Sequence, residues 1–564
     1  MIRHLLSMLE LAGVSRARMV LLVGTALFVG AVNVGLVSLL GETVRRGGSS
    51  QMLRDLAIFV AGSVAFLLLS MWVQSEVVRV NEGALRTIRN RFARTLLAAA
   101  LPDIESVAHH IKHAALARDA MIIASVVPGL VGIASSAAAV LGGLGYLFVL
   151  APKAAALFCA VIGAGIVLYQ WGMQRLTPGQ RNAHALADRY FSFAEGMLRG
   201  SKELKLDAVM AERFLRDDLG RALDDATAAL TRVRSRQQTV GLVGIVVFFM
   251  LIGGSVFASS IYGTADPRLV TSFLLTLLFL NAPIQNAVLR VPMVLESFIA
   301  TERIRGTLAR LKAEPPAPPG PPATVPEGWS RLRLDNVSFH YDAPDGTPGF
   351  ALHAIDLEAR RGDIVFIIGG NGSGKTTLAK ILTGLYAPST GRLLVDDLPA
   401  SARLGAYRSL FNAVFSDSHL FAHDLDALPP QQRDRFDALC RDLAIQPGRR
   451  ADGRLDTVAL SAGQRKRLAL ALALCEDKPV QLFDEWTADQ DPEFRAYFYQ
   501  RFLPRLRAEK RTVFVISHDD RWFHTADLLV RLDAGRIVSV ERLSAARPAG
   551  SALTFPQDQL EDSL

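Results

Sequence analysis

Apolar residues gather into long runs before about residue 295 of this 564-residue chain and into short ones after it. Six runs, at about 19–41, 56–75, 122–149, 154–174, 239–261 and 269–292, each approach the ~20 residues a helix needs to cross a bilayer. One such run is compatible with a buried core helix, but six are hard to house in a soluble fold of this size. The run from Met19 exceeds the apolar part of a secretory leader and lacks a convincing cleavage site, so it reads as a spanning helix. After residue 328 the pattern changes to short β-branched runs, such as Ile364 to Ile368 and Val480 to Phe483, alternating with helical periodicity. The expected fold is an all-α membrane domain of six helices followed by an α/β domain. Seven prolines between Ala313 and Pro326 predict a stiff extended linker. The expected divisions are 1–312 membrane domain, 313–328 linker, 329–543 soluble domain and 544–564 solvated tail.

Composition supports this division. Half the residues are hydrophobic and the mean hydropathy is +0.25, too apolar for an ordinary soluble enzyme. The formal charge of +8 and pI near 9.5 admit a nucleic-acid partner. No basic tract interleaved with aromatics appears, however, and excess Lys and Arg suit loops beside anionic lipid. With the N-terminus inside, the internal stretches 79–120 and 175–238 carry 7 and 12 Lys or Arg, against 3, 1 and 1 in the external stretches 42–55, 150–153 and 262–268. That asymmetry fits the positive-inside rule and places the N-terminus and the soluble domain in the cytoplasm. Cys159, Cys440 and Cys475 are scattered without metal or disulfide spacing.

The two internal stretches are polar yet helical in pattern, for example Arg86 to Leu101 and Ala183 to Leu219. They read as helices running on into the cytosol, with turns at Leu101–Glu105 and Gly200–Leu204 placed to press on the soluble domain; plain solvated hairpins are the other reading. Asn281, Pro283, Gln285 and Asn286 interrupt the last apolar run, and such residues either join helices or line a pathway. Gly142, Gly143 and Gly145 suggest close helix packing.

The soluble domain carries Gly369-Gly370-Asn371-Gly372-Ser373-Gly374-Lys375-Thr376, which matches the phosphate-binding loop G-x-x-x-x-G-K-[ST]. A strand precedes it, and Thr377, here grouped with the nucleotide-binding residues, opens an expected helix to Leu385. Glycines let backbone N–H groups turn inward on phosphates at the positive end of that helix. Lys375 would reach the β- and γ-phosphates and Thr376 would offer its hydroxyl to Mg²⁺. Downstream, Val480–Phe483 ends in Asp484-Glu485, two carboxylates where a nucleotide hydrolase needs them. Asp484 would hold Mg²⁺ and Glu485 would act as general base toward water. Gln481 is a polar residue in that strand without an evident reason.

Further motifs carry a family resemblance. Leu460-Ser461-Ala462-Gly463-Gln464 resembles the LSGGQ signature of ATP-binding-cassette proteins, with Ala462 in place of its first glycine. His518, in Val515-Ile516-Ser517-His518-Asp519-Asp520, matches the switch histidine that contacts the γ-phosphate, and Asp491 matches the D-loop aspartate. Tyr341 matches the aromatic that stacks on adenine. The whole chain resembles an ABC exporter half-transporter. The resemblance implies that ATP and Mg²⁺ are its cofactors and that the signature of one subunit completes the ATP site of the other. It therefore implies a pair of chains, most simply a homodimer. ATP would close the cassettes, and hydrolysis would release them.

Phe483-Asp484-Glu485-Trp486 and Asp489-Gln490-Asp491-Pro492-Glu493-Phe494-Arg495 are unusual for ABC proteins and resemble the bacterial cyclic-peptide and siderophore exporters of the syringomycin and pyoverdine type. The function this implies is ATP-driven export of a peptide-like secondary metabolite across a bacterial inner membrane. A lipid or hydrophobic-drug flippase of the same architecture is one alternative, and an ATP-gated channel or regulator is another. Whether a periplasmic or outer-membrane partner receives the cargo is left open by the sequence. Ser416, within Phe415-Ser416-Asp417-Ser418-His419, stands where most cassettes carry the Q-loop glutamine that helps ligate Mg²⁺. Asp417 or a water would take that role. If Asp417 does, Asp417→Ala will weaken Mg²⁺-dependent ATPase; an unchanged rate removes Asp417 from the site.

Overall fold

Long apolar runs become long helices, because a backbone in lipid has no water to bond and must satisfy its own N–H and C=O groups. The computed structural model describes residues 8–46, 52–261, 267–311, 328–342, 348–422, 424–450, 453–457 and 460–543. These belong to two compact units, Met1–Ala99 with Asp103–Ala313, and Ala100–Pro102 with Glu314–Leu564. The expected linker, apart from Gly328, and the expected tail lie outside the described residues.

The helices before residue 312 are α1 (Arg16–Arg46), α2 (Met52–Ala98), α3 (Leu101–Ser106), α4 (Val126–Leu150), α5 (Pro152–Arg199), α6 (Ser201–Leu206), α7 (Arg221–Ile261) and α8 (Pro267–Arg310), besides shorter helical turns. At 47 residues, α2 is about 70 Å long, over twice the ~30 Å hydrocarbon core. Its polar half, from Arg79 on, continues its apolar half without a break. Among the described residues four helices are long and apolar enough to span: Arg16–Arg46, Met52–Ala98, His109–Leu150 and Arg268–Arg310. The other two expected spans, 154–174 and 239–261, fall on α5 and α7, where many side chains lie outside the described set.

Two of the three glycines read as packing positions are such. A Cβ on Gly143 would stand 2.6 Å from Leu280, and one on Gly142 would stand 3.1 Å from Val34, whereas Gly145 faces open space. Within α8, Gln285 Nε2 donates to Asn281 Oδ1 at 2.8 Å, which joins these two amides along one helix face. Pro283 is buried and Asn286 is exposed. The expected turns at Leu101 and Gly200 are the short helices α3 and α6, and Asp207 caps the helical turn after α6 by accepting from Val209 N and Met210 N at 2.9 Å each.

In the second unit the strands are β1 (Arg331–Asp342), β2 (Pro348–Arg360), β3 (Ile364–Gly369), β4 (Thr390–Val395), β5 (Leu398–Pro399), β6 (Phe411–Val414), β7 (Val480–Asp484), β8 (Thr512–Ile516), β9 (Leu528–Asp533) and β10 (Arg536–Arg542). An antiparallel sheet has the order β2-β1-β4-β5, and the main sheet has the order β10-β9-β3-β8-β7-β6. From β9 to β6 the neighbours run parallel, and β10 returns antiparallel at one edge. Parallel strands are covered on both faces, and their side chains alternate between two cores. Val365 and Ile367 enter one core, and Ile364, Phe366 and Ile368 enter the other. Fully burying each of these is worth about 1.5–3 kcal/mol relative to exposure. Gln481, buried within β7, turns its Nε2 back onto the Lys478 carbonyl at 2.7 Å, while its Oε1 has no hydrogen-bond partner among the described residues.

The helices of this unit used below are α9 (Lys375–Leu382), α10 (Pro430–Asp442), α11 (Ala462–Cys475) and α12 (Pro492–Tyr497). Helix α9 begins two residues earlier than the expected Thr377 and ends three before Leu385. Gly384, at φ +71°, stops it: Leu385 N bonds the Lys380 carbonyl and Gly384 N bonds that of Ile381, satisfying the last carbonyls in a left-handed turn. Cys440 on α10 and Cys475 on α11 are buried in the second core. Burial pushes the Cys440 thiol up to about 12, so it stays protonated and unreactive. At pH 8 maleimide is expected to label Cys440 only after unfolding, as read by peptide mass spectrometry with and without denaturant.

Candidate nucleotide site

The carboxyl ends of parallel strands leave backbone groups and side chains facing a crevice, the usual place for a ligand in an open α/β sheet. In the main sheet, Gly369 ends β3, Asp484 ends β7, and Ser517 and His518 follow β8. Register pairs Ile367 with Ile516 and Asp484 with Ile516, so these segments emerge at one edge. Ser416 and Asp417 follow β6, whose Val414 pairs with Phe483; they occupy an exposed turn closed by Ser418 N to the Phe415 carbonyl at 3.2 Å.

Residues Gly370 to Gly374 form the turn between β3 and α9. Gly374 has φ +103°, and a Cβ there would lie 2.6 Å from Leu352 Cδ2 and 2.7 Å from Phe350 Cζ. On Gly369 a Cβ would stand 2.1 Å from the Leu532 carbonyl, so both glycines are demanded by close approach. Lys375 folds over the loop and donates to the carbonyls of Gly369 at 3.1 Å and Gly370 at 2.9 Å. Burial pulls its ammonium below the usual value, while Glu485 and Asp484 push it back. The Ser373 hydroxyl is buried with no hydrogen-bond partner among the described residues. Asn371 and Gly372 lie exposed at the loop's tip.

Asp484 is 1% exposed, and neither carboxylate oxygen has a hydrogen-bond partner among the described residues. Burial raises its pKa, the Thr376 hydroxyl lowers it, and Glu485 and Asp417 raise it further. A buried carboxylate without a partner, close to a hydroxyl, is an oxygen donor set suited to a small hard cation, so these residues fit Mg²⁺. Glu485 adopts φ 49° and its N–H bonds the Ile516 carbonyl at 3.1 Å, which turns its side chain toward His518. The His518 Nε2 to Glu485 Oε1 distance is 3.2 Å.

Tyr341 ends β1 partly exposed, with its hydroxyl 3.2 Å from Thr377 Oγ1 and its ring edge-on to Phe339 and Tyr386. Ser461 caps α11: Gln464 N donates to Ser461 Oγ at 3.2 Å, and Ser461 N donates to Gln464 Oε1 at 3.0 Å. Leu460 and Ala462 flank this cap, and a Cβ on Gly463 would press 3.0 Å from the Asp489 carbonyl. No residue from Leu460 to Gln464 bonds the phosphate loop among the described residues. Asp491 caps α12 through Phe494 N at 2.7 Å and pairs with Arg467 at 2.5 Å. Burial raises its carboxyl, but the Phe494 N–H and Arg467 outweigh that and hold it below the usual range.

The structure thus gathers the phosphate loop, Asp484, Glu485 and His518 at one sheet edge and holds the signature against the D-loop. Residues 352–488 match the family model described as ABC transporter. The chain is 32% identical to the ATP-binding protein SyrD of Pseudomonas syringae pv. syringae over 70% of this chain and 72% of that one. It belongs to the ABC exporters, as a half-transporter of the family that includes SyrD. It is also 28% identical to an ATP-dependent lipid A-core flippase of Alkalilimnicola ehrlichii over 64% of this chain and 62% of that one. The solved structure of a bacterial Atm1-family ABC exporter with ATP bound shares the fold, with a TM-score of 0.77, 20% identity, and coverage of 93% of this chain and 95% of that one. This exporter is accordingly a membrane-embedded, ATP-binding transport ATPase, with a helical transmembrane region preceding its cassette.

Residues that sequence motifs missed tie the segment after Glu485 to the helix that begins at Ala462. Lys466 pairs with Asp489 at 2.8 Å, Arg467 donates to Gln490 Oε1 at 2.7 Å and lies 3.9 Å over the Phe494 ring, and Trp486 Nε1 donates to the Lys466 carbonyl at 2.9 Å. The basic run Arg465-Lys466-Arg467 directly after the signature and the acidic Asp489 are the available signal. Because only glycine suits the left-handed, crowded position 374, Gly374→Ala is expected to weaken ATP binding by about tenfold, roughly 1.4 kcal/mol. Isothermal titration of the purified full chain checks this.

Proposed function

We propose that this chain exports a peptide-like secondary metabolite, such as a siderophore, its acylated precursor or a cyclic peptide, across a bacterial inner membrane. The observation that carries the ATP-driven part is the 3.2 Å contact of His518 with Glu485 beside the buried, unpartnered Asp484. The relationship to SyrD, together with Phe483–Trp486, Asp489–Arg495 and Ser517–Asp520, supports the cargo class.

In this reading, Thr376 and Asp484 hold Mg²⁺, which would neutralise charge on the phosphates. Gly369 to Gly374 direct N–H groups at those phosphates, Lys375 leaves its two carbonyls to reach the β- and γ-oxygens, and Tyr341 offers its ring to adenine. Glu485 accepts a proton from the attacking water, while His518, within hydrogen-bond reach of Glu485, orients the reacting group. Leu460 to Gln464 act on the ATP of a second copy in a homodimer, and Asp491 reaches across with them. Residues 1–312 form a six-helix membrane domain with its N-terminus in the cytoplasm, 313–328 the linker, 329–543 the cytoplasmic cassette and 544–564 the tail. Helices α3 and α6 pass cassette closure to the membrane domain.

A second reading, flipping of a lipid or hydrophobic drug, draws support from the lipid A-core flippase relatives, among them one of Chromobacterium violaceum at 35% identity over 42% of each chain. Untargeted mass spectrometry of medium and cells separates the two. It would compare the parent strain, a deletion and Glu485→Gln under iron limitation and iron excess. The proposal expects a peptide-like, iron-repressed compound to vanish from the medium and its precursor to build up inside, equally in both mutants. An unchanged peptide profile with altered lipid or drug handling would favour the flippase.

A further inference from the structure

Glu485 and His518 are both partly exposed and sit on separate strand ends, so something behind them must fix their spacing. Tyr499 lies there, with no solvent exposure. Its hydroxyl is 3.0 Å from Thr487 Oγ1 and 2.9 Å from Ser517 Oγ. Thr487 is two residues after Glu485, and Ser517 directly precedes His518. Ser517 Oγ also accepts from Asp519 N at 3.1 Å, on the other side of the histidine. A phenol can donate to one hydroxyl and accept from another, so the three form one buried chain joining the two catalytic segments.

The backbone explains how a tyrosine comes to stand there. After α12 the helix widens into a π-turn over Phe498–Phe502, which re-aims side chains relative to a regular α-helix. The Tyr499 ring stacks on Trp522 at 5.3 Å and 14° and lies 5.9 Å from Phe366 of β3, the strand that leads into the phosphate loop. Burial raises its phenol above the ordinary value, so it works as a neutral hydroxyl. Phenylalanine would keep the ring contacts and remove only the oxygen, leaving two buried hydroxyls short of a partner.

We infer that Tyr499 is a positioning residue for hydrolysis, whose hydroxyl holds Thr487 and Ser517 so that Glu485 and His518 stay at working distance. The inference rests on Glu485 and His518 acting in hydrolysis as proposed above. The test is Tyr499→Phe in the purified full chain in nanodiscs, with Mg·ATP as substrate. The expected result is a fall in kcat of about tenfold with KM within about twofold, because ground-state ATP binding does not need the pair aligned. Ser517→Ala should behave alike, and the double variant should be no slower than the slower single one, since both cut the same link. A Tyr499→Phe kcat within about twofold of the parent, a matching loss of ATP affinity, or multiplicative losses in the double variant would each overturn it. Should Tyr499→Phe fold poorly, Thr487→Val cuts the link with the ring intact, and full activity in that variant overturns the inference equally. Glu485→Gln is the control: if it hydrolyses ATP normally, the hydrolytic reading itself fails, whereas an inactive Glu485→Gln beside a fully active Tyr499→Phe defeats only the role of Tyr499.

Discussion

The cassette is organised around a buried carboxylate with only the Thr376 hydroxyl close to it. Asp484 is buried at the end of β7, and its two oxygens find no partner among the described residues. Taking an ionised carboxylate out of water without compensation costs several kcal/mol, far more than a typical hydrogen bond returns. A fold bears that only where the group has a use. Each neighbour is consistent with this: Thr376 points a hydroxyl at Asp484, and Lys375, close enough to feel its charge, rests on the carbonyls of Gly369 and Gly370. Because those are ordinary hydrogen bonds to exchangeable backbone acceptors, Lys375 can leave them for phosphate oxygens at little cost.

That constraint fixes the sheet around it. Asp484 can lie at the strand end only if β7 is central and parallel, flanked by β8 and β6, since an edge strand would open it to water. Parallel neighbours then deliver their own carboxyl ends to the same edge, which is how Asp417 after β6 comes near it and His518 after β8 reaches Glu485. Glu485 faces the opposite demand. It must remain partly accessible, and its left-handed backbone, unusual for a residue with a side chain, turns it off the strand axis at once.

Much of this was legible in the sequence because it depends on local spacing. The phosphate loop, the strand before it and the Asp484-Glu485 pair are contiguous motifs, and their strand ends follow from where apolar runs stop. Helix α9 ends three residues before its apolar pattern does, because Gly384 and its left-handed turn decide the matter. Apolar runs signalled the membrane helices, yet four rather than six stand out among the described residues. Tyr499 was hidden for a different reason. In a run containing Phe494, Phe498 and Phe502 it reads as one more core aromatic, and only the π-turn gives its hydroxyl a direction. Gln481 is only partly explained, since the Lys478 carbonyl takes its Nε2 while its Oε1 has no partner among the described residues.

The segment 485–491 carries two duties at once. On one side, Tyr499 ties Thr487 to Ser517 behind the hydrolytic pair. On the other, Lys466–Asp489, Arg467–Asp491 and the Gln490 Nε2 bond to the Gly463 carbonyl at 3.3 Å hold the segment to the signature helix. Each partly exposed ion pair is worth only about 0–1 kcal/mol alone. Arg467 holds both Asp491 and Gln490 and also lies over Phe494, while Lys466 holds Asp489 beside them, so the helix and segment behave as a single body. In the proposed dimer, the residues a subunit offers to its partner's ATP cannot then shift without moving the segment that follows its own Glu485. The two nucleotide sites would be coupled through a few ångströms of backbone within each cassette, with no need for a signal through the membrane helices.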